Sequence, residues 1–252
     1  LSRSRKPENV LAQARQLVKA GYKEIVLTGI HTGGYGDDLE NYQLADLLID
    51  LDKIPDLHRV RISSIEASQV DDRLIGVLNS SDKMCRHLHI PLQAGDNEVL
   101  KRMRRKYTVE EYRETILKLH DALPGVAITT DMIVGFPGET EEQFLNGYHF
   151  VEELGMYQMH VFPYSQRTGT PAARMTDQVP EDIKNDRVSR LISLSNRLTM
   201  AYAEKYIGEV LEVIPERTYK EAPKSGLYTG YTDNYLPVAF PATEDMVGKV
   251  CR

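Results

Sequence analysis

The sequence predicts an α/β fold: a parallel sheet curved into a partial (βα) barrel, followed by a small all-β unit. Two observations carry this. From Pro7 to Tyr206, stretches with helical apolar periodicity alternate with short apolar runs, the pattern of strands joined by crossover helices. After Gly208 the texture changes to brief β-prone runs broken by Pro, Gly and Asp-Asn.

The elements follow in order. Residues 7–20 (PENVLAQARQLVKA) place apolar side chains at helical spacing, with Pro7 near the start and Gly21 just past the end. EIVLTGI (Glu24–Ile30) reads as a short buried strand, and YQLADLLIDLDKI as a helix. RVRISSIE (59–66) is a strand and DDRLIGVLNS a helix. HLHIPLQ (87–93) is a strand, with helical pieces near 96–103 and 108–122. VAITTDMIVGF is a strand, TEEQFLNGYHFVEEL a helix, MHVFPYS (159–165) a strand, and 181–206 a long helix. Five strands are fewer than the eight of a closed barrel. About five βα units are therefore expected over 1–207. GEVLEVIPE, GLYTGYTDN and YLPVAFPA then form a second, small β domain over 208–252.

At 252 residues the chain can bury a sizeable core without staples. No apolar run approaches the roughly 20 residues of a membrane span, so no membrane partner is expected. Cys85 and Cys251 give neither a disulfide framework nor a C-x-x-C pair, and a reducing, cytoplasmic location is the natural expectation. LSRSRKPENV, without an initiator Met, reads as the interior of a longer protein. Net charge is −6, so any nucleic-acid surface must be local. LKRMRRKY supplies one candidate in Lys101, Arg102, Arg104, Arg105 and Lys106. In the small β unit, Tyr228, Tyr231 and Tyr235 are candidates for stacking on bases.

DMIVGFPGETEEQF (131–144) sets a glycine-rich turn between a strand and a helix. It is not a phosphate loop: Gly138 is followed by Glu139 and Thr140, not by Lys and Ser/Thr. Thr140 and Gln143 instead form a capping-box signature. Polar groups gather at the carboxyl ends of the predicted strands, where parallel α/β folds bind ligands. His31, Thr32, Gly33 and Gly34 follow the first strand, and Ser64 and Glu66 share a face of the second. His87, His89, Pro91 and Gln93 share a face of the third, Thr129 and Asp131 of the fourth, and His160, Phe162 and Tyr164 of the fifth. Several inward polar groups predict a lined cavity. Its contents stay open at this level. His87 and His89 with Glu66, Asp131 and His160 can ligate Zn²⁺ in a metal-dependent hydrolase barrel. Glycine-rich loops and an aromatic strand favour a flat, uncharged adenine.

The ordered stretches LSRSRKPE, EIVLTGIHTGGYG, RISSIE, RHLHIPLQAG, LKRMRRKYT, DMIVGFPGETEEQF and FPYSQRTGTPAA together resemble the radical S-adenosylmethionine (SAM) methylthiotransferases over nearly the whole chain. GLYTGYTDNYLPV resembles their tRNA-binding TRAM domain, here lacking its last strands. TGIHTGGYG and RISSIEAS look most like the branch acting on N6-threonylcarbamoyladenosine in tRNA. The sister branches act on isopentenyladenosine or on a ribosomal protein. The resemblance implies a radical SAM partial barrel in which SAM meets a [4Fe–4S] cluster, with two such clusters in the full-length enzyme. Reductive cleavage would give a 5′-deoxyadenosyl radical, which takes hydrogen from adenine C2 at position 37 before a methylthio group is installed. It implies further that Gly29, His31, Thr32, Gly33 and Gly34 hold the amino-acid end of SAM. Ser64 and Glu66 would contact its ribose or methionyl part, His89 and Gln93 would line the reaction centre, and Ile133, Val134, Gly135 and Phe162 would flank adenine. Partners would be the tRNA anticodon stem-loop and an electron donor. The family's C-x₃-C-x₂-C loop is absent and is expected upstream of Leu1. The chain alone is therefore expected to bind no cluster and to be inactive, and its open first strand to favour edge pairing between copies.

Overall fold

A computed structural model describes residues 3–252, so the first two residues of the LSRSRKPE stretch lie outside the description. Helix α1 (Pro7–Lys19) starts at its proline and leads into β1 (Glu24–Leu27). Then come α2 (Leu44–Asp52), β2 (Arg59–Ile62), α3 (Asp72–Ser80) and β3 (His87–His89). They are followed by α4 (Asn97–Arg102), α5 (Val109–Ala122), β4 (Ala127–Val134), α6 (Glu141–Glu153), β5 (Gln158–Pro163) and α7 (Glu181–Glu204).

β1 pairs in parallel with β2, and β3, β4 and β5 form a second parallel set in that order. Single bridges Val60–Met84 and Ser64–His89 join β2 to the β3 segment, giving one curved parallel array. The strands end earlier than the sequence predicts. Gly29 and Ile30 have left β1, and Ile30 is exposed, because the Thr32–Gly34 turn takes over. β3 stops at His89, and Gln93 rejoins the sheet by one bridge to Met132.

The core fills the space between array and helices, with Leu48, Leu51, Leu88, Ile90, Ile116 and Leu119 essentially inaccessible. Asp71, Asp96, Thr108 and Thr140 each cap the helix that follows, their side chains accepting backbone N–H bonds.

Strands β6 (Ile214–Thr218), β7 (Leu227–Tyr231) and β8 (Pro237–Pro241) form an antiparallel sheet. It packs against the amino-terminal ends of the parallel strands, where Ala127, Tyr157, Tyr202 and Leu236 share an apolar cluster. Alternation along RVRI would put Arg59 and Arg61 together on one face, and both are buried under the small sheet. Arg59 donates to the carbonyls of Tyr231 (3.1 Å) and Glu212 (2.6 Å), and Arg61 to those of Asp233 and Thr232 (3.0 Å each). Glu24 supplies the carboxylate for both guanidinium groups. Two buried charges are tolerable because each is paired and hydrogen-bonded.

Candidate functional site

The Gly-Phe-Pro-Gly turn is anchored from within. Gly135 (φ +72°) and Gly138 (φ +77°) occupy the left-handed region. A β-carbon at Gly135 would overlap the Lys184 side chain, and one at Gly138 the Asp177 carboxylate. These glycines therefore admit neighbours from this chain. The Gly135 N–H donates to Glu139 Oε2 (2.6 Å), and the Val134 carbonyl accepts from Tyr164 N–H (2.8 Å). Val134 and Gly135, expected to flank adenine, thus use these two polar groups within the chain, and the Val134 side chain is buried. Glu139 is held by Arg187, whose Nη1 donates to its carboxylate (2.8 Å) and its carbonyl (3.1 Å). Burial pushes the Glu139 carboxyl up, and the Gly135 N–H and Arg187 offset only part of that rise.

Beside this turn lies a cavity of about 680 Å³ lined by Gln93, Asp131, Ile133 and Phe162 together with Phe136, Tyr164, Met103, Arg105 and Arg167. Gln93 sits at φ +70°, a conformation a non-glycine residue holds only when its surroundings enforce it. The Gln93 N–H donates to Asp131 O, and its carbonyl accepts from Ile133 N–H, both at 2.8 Å. Phe162 leaves its ring half exposed, and the buried phenol oxygen of Tyr164 has no hydrogen-bond partner among the described residues. An open aromatic face in a cavity is what a planar ligand would use.

Asp131 lies between two imidazoles, His89 Nε2 at 3.4 Å and His160 Nδ1 at 3.3 Å. Burial pushes its carboxyl up, but His89 and His160 outweigh that and hold it below the usual range. Nδ1 of His89 shares a 2.9 Å hydrogen bond with Thr129 Oγ1, which also contacts His87 Nε2 at 3.0 Å. The rival hydrolase pairing of His87 with His89 fails here. His87 faces the small sheet, stacked on Tyr235 at 4.2 Å, and burial with nearby positive charge lowers its pKa to about 3. Among the described residues, the potential metal-ligating group is instead His89, Asp131 and His160, without Glu66.

The other expected ligand residues are dispersed. His31, Thr32, Gly34 and Gly29 border a separate, more aliphatic cavity of about 880 Å³ against α1 and β1. Thr32 Oγ1 lies 3.5 Å from Ser63 Oγ, and His31 contacts Gln69 at 2.7 Å. A β-carbon at Gly33 would overlap Gln69, and one at Gly34 would overlap His31. Glu66 caps the turn 67–69, and Ser64 bridges to His89 through the sheet; neither lines a cavity described here.

Of the basic run, Lys101, Arg104, Arg105 and Lys106 are exposed without an ion pair among the described residues. Arg102 departs from it: Nη2 donates to Gly138 O (3.2 Å) and Gln143 Oε1 (2.7 Å), bracing the turn. Arg104 takes φ +58° at the end of α4, with Arg105 N–H closing on Leu100 O (2.9 Å). This stop directs Arg105 to the cavity. Tyr235 stacks on both His87 and Tyr231 (4.7 Å), so its ring is engaged by protein, whereas Tyr228 lies on β7 away from that stack. Cys85 is buried with its thiol pushed up to about 12 by burial, and Cys251 bridges to Val213. These two cysteines do not form a cluster-ligand set.

Residues 1–151 match the radical SAM superfamily model, and the chain belongs to that superfamily. Within it, the chain aligns with the radical SAM methylthiotransferases. It is 59% identical over 253 residues to the threonylcarbamoyladenosine tRNA methylthiotransferase MtaB of Bacillus subtilis, covering all of this chain and 56% of that protein. It is 42% identical over 250 residues to a tRNA-2-methylthio-N(6)-dimethylallyladenosine synthase of Oceanobacillus iheyensis, covering 98% of this chain and 48% of that protein. The chain thus spans about half the length of these relatives. Among solved structures, the radical SAM enzyme coproporphyrinogen III oxidase (HemN) from Escherichia coli superposes with a TM-score of 0.57 at 14% identity, over 95% of this chain and 66% of that one. That likeness shows the α/β radical SAM fold with parallel strands. Superfamily membership implies SAM and a [4Fe–4S] cluster as cofactors.

Proposed function

We propose that this chain is the cofactor-pocket and RNA-contact portion of a tRNA methylthiotransferase that adds a methylthio group to C2 of N6-threonylcarbamoyladenosine at position 37. The observation that carries the reading is 59% identity along the entire chain to a protein of that name, against 42% to the dimethylallyladenosine relative. When bound and reduced, SAM supplies the radical chemistry; this chain's residues bind, orient and exclude water.

Phe162 and Ile133 take adenine, the backbone around strained Gln93 fixes its position, and the His89–Asp131–His160 group borders the reaction centre. The His31–Gly34 loop, with Ser64 and Glu66, closes the methionyl side. Cluster thiolates belong to the part of the longer protein outside this chain, so the chain alone is inactive. Residues 208–252 act as a TRAM-like domain, docked on the 1–207 unit through Arg59 and Arg61. Exposed Lys101, Arg104 and Lys106 meet the anticodon stem-loop. β1, paired on one side only among the described residues, is the edge where two copies of the isolated chain would associate.

Nucleoside mass spectrometry of tRNA tests the function. Deleting the intact gene should remove the 2-methylthio group from threonylcarbamoyladenosine alone, and the full-length gene should restore it. Loss from isopentenyladenosine instead would move the substrate to the sister branch.

A further inference from the structure

A chain of contacts runs from the small β sheet to the His89–Asp131–His160 group, and its atoms fix its polarity. Thr129 lies on β4 directly across the ladder from His89, and alternation puts His87 and His89 on one face of β3. Both histidines are within hydrogen-bond distance of the Thr129 hydroxyl, His87 Nε2 at 3.0 Å and His89 Nδ1 at 2.9 Å. His87 Nδ1 is buried without a hydrogen-bond partner among the described residues, so a proton there would strand a donor. That proton belongs on Nε2, donating to Thr129 Oγ1. The hydroxyl then gives its own hydrogen to His89 Nδ1. This leaves the His89 proton on Nε2, facing Asp131 Oδ2 at 3.4 Å. With the proton on Nδ1 instead, a neutral His89 would set a bare nitrogen against the carboxylate.

The far end of the chain belongs to the small β unit. Tyr235 lies flat on His87, with ring centroids 4.2 Å apart and planes 14° from parallel. Arg61 Cζ is 5.1 Å from the Tyr235 ring centroid, and Tyr231 stacks on the same ring. Tyr235 is held at φ +67°, a conformation that persists only where neighbours enforce it. They do so here. Leu236 N–H donates to Thr232 Oγ1 (2.9 Å), Asn234 Nδ2 to the Tyr202 hydroxyl on α7 (3.0 Å), and the Tyr157 hydroxyl to the Tyr235 carbonyl (3.2 Å). Thr232 and Asn234 are buried.

We propose that Tyr235, His87 and Thr129 form a positioning relay that fixes the tautomer and orientation of His89, so that docking of the small β unit sets the group beside the reaction centre. None of the three touches the reacting atoms; each acts through His89. The inference rests on the methylthiotransferase reading above for the reaction assayed.

The test uses the full-length protein, anaerobically reconstituted, with an anticodon stem-loop carrying threonylcarbamoyladenosine. Thr129→Val keeps the shape and removes the hydroxyl. Its kcat should fall roughly 10- to 100-fold, the range for losing the outer partner of a functional histidine, with KM for the stem-loop unchanged. Thr129→Ser keeps the hydroxyl and should recover most of that loss. Tyr235→Leu should lower kcat and leave the stem-loop Kd unchanged. Equal losses in Thr129→Ser and Thr129→Val would overturn the proposal in favour of packing alone. A Tyr235→Leu variant with weaker stem-loop binding and unchanged kcat would overturn it in favour of base stacking by Tyr235. If urea titration shows that Thr129→Val does not fold, His87→Phe decides: lower kcat at unchanged KM supports the relay, and unchanged kcat overturns it. If the wild type modifies isopentenyladenosine instead, the substrate reading fails, and the same variants on that stem-loop decide the relay.

Discussion

Replacing Arg187 by Met tests how the strand–turn–helix segment is held. In the native chain the Arg187 and Glu139 side chains are 4% and 5% exposed, joined at 2.8 Å. The same Glu139 oxygen accepts the Gly135 N–H. Methionine keeps much of the volume beside Phe144, over which the guanidinium lies at 5.4 Å, but strands a buried carboxylate. Removing one partner of a buried pair costs about 3–5 kcal/mol. At about 2–4 °C per kcal/mol for a chain of this size, the midpoint should fall by roughly 6–20 °C. Adding Glu139→Gln should return about 2 kcal/mol or more, because the amide oxygen still accepts from Gly135 and needs no cation. Urea unfolding of wild type, both single variants and the double variant gives the cycle. The pH dependence has a definite sign. The folded Glu139 carboxyl is already raised by burial, and loss of Arg187 raises it further. The variant's deficit should therefore shrink as pH falls toward 5, where a protonated Glu139 needs no partner. A deficit under about 1 kcal/mol, or a double variant no better than Arg187→Met, would refute the anchoring role.

The remaining predictions concern other parts of the chain. His87 has its folded pKa depressed to about 3, against about 6.5 unfolded, so its stabilising contribution is complete above about pH 6.5 and drains away as pH falls toward 3. His87→Phe, which keeps the stack on Tyr235, should flatten the wild-type stability profile by up to about 1.4 kcal/mol per pH unit in that window; parallel profiles by urea titration would contradict it. Gln93→Gly should relieve left-handed strain and stabilise the fold by about 1 kcal/mol while weakening SAM binding; equilibrium dialysis with unchanged affinity would remove Gln93 from the site. Neutralising Lys101, Arg104 and Lys106 together should weaken tRNA binding and lower the slope of log K against log salt by roughly 2–3; an unchanged slope reduces the run to a solvated helix end.

The layout of the fold was legible because its signals are local. Periodicity located every helix, and the Thr140–Gln143 capping box was readable directly from residue types. Strand ends were less legible, since TGI after Leu27 and ISSIE after Arg61 stay β-prone while turns at Thr32 and Ala67 take the chain away. The site was only partly legible. Gln93, Ile133 and Phe162 were found by facing and resemblance, and they do share one cavity. Tyr164 was found by facing too, but the cationic lining was not, because Arg105 reaches the cavity through a left-handed residue that no spacing rule foresees. Arg167 sits in a loop where side-chain direction has no period. The surroundings of His87 and Arg102 were not legible for a related reason: strand alternation and charge density do not reveal which neighbour covers a side chain. Arg59 and Arg61 are the clearest case, since only docking of a distant sheet makes their burial affordable.

The most direct measurement of the central claim is turnover by the anaerobically reconstituted full-length protein on matched anticodon stem-loops carrying threonylcarbamoyladenosine or isopentenyladenosine. The account predicts 5′-deoxyadenosine release coupled to 2-methylthio product on the threonylcarbamoyl substrate, with little on the other. Equal or faster modification of isopentenyladenosine would contradict it.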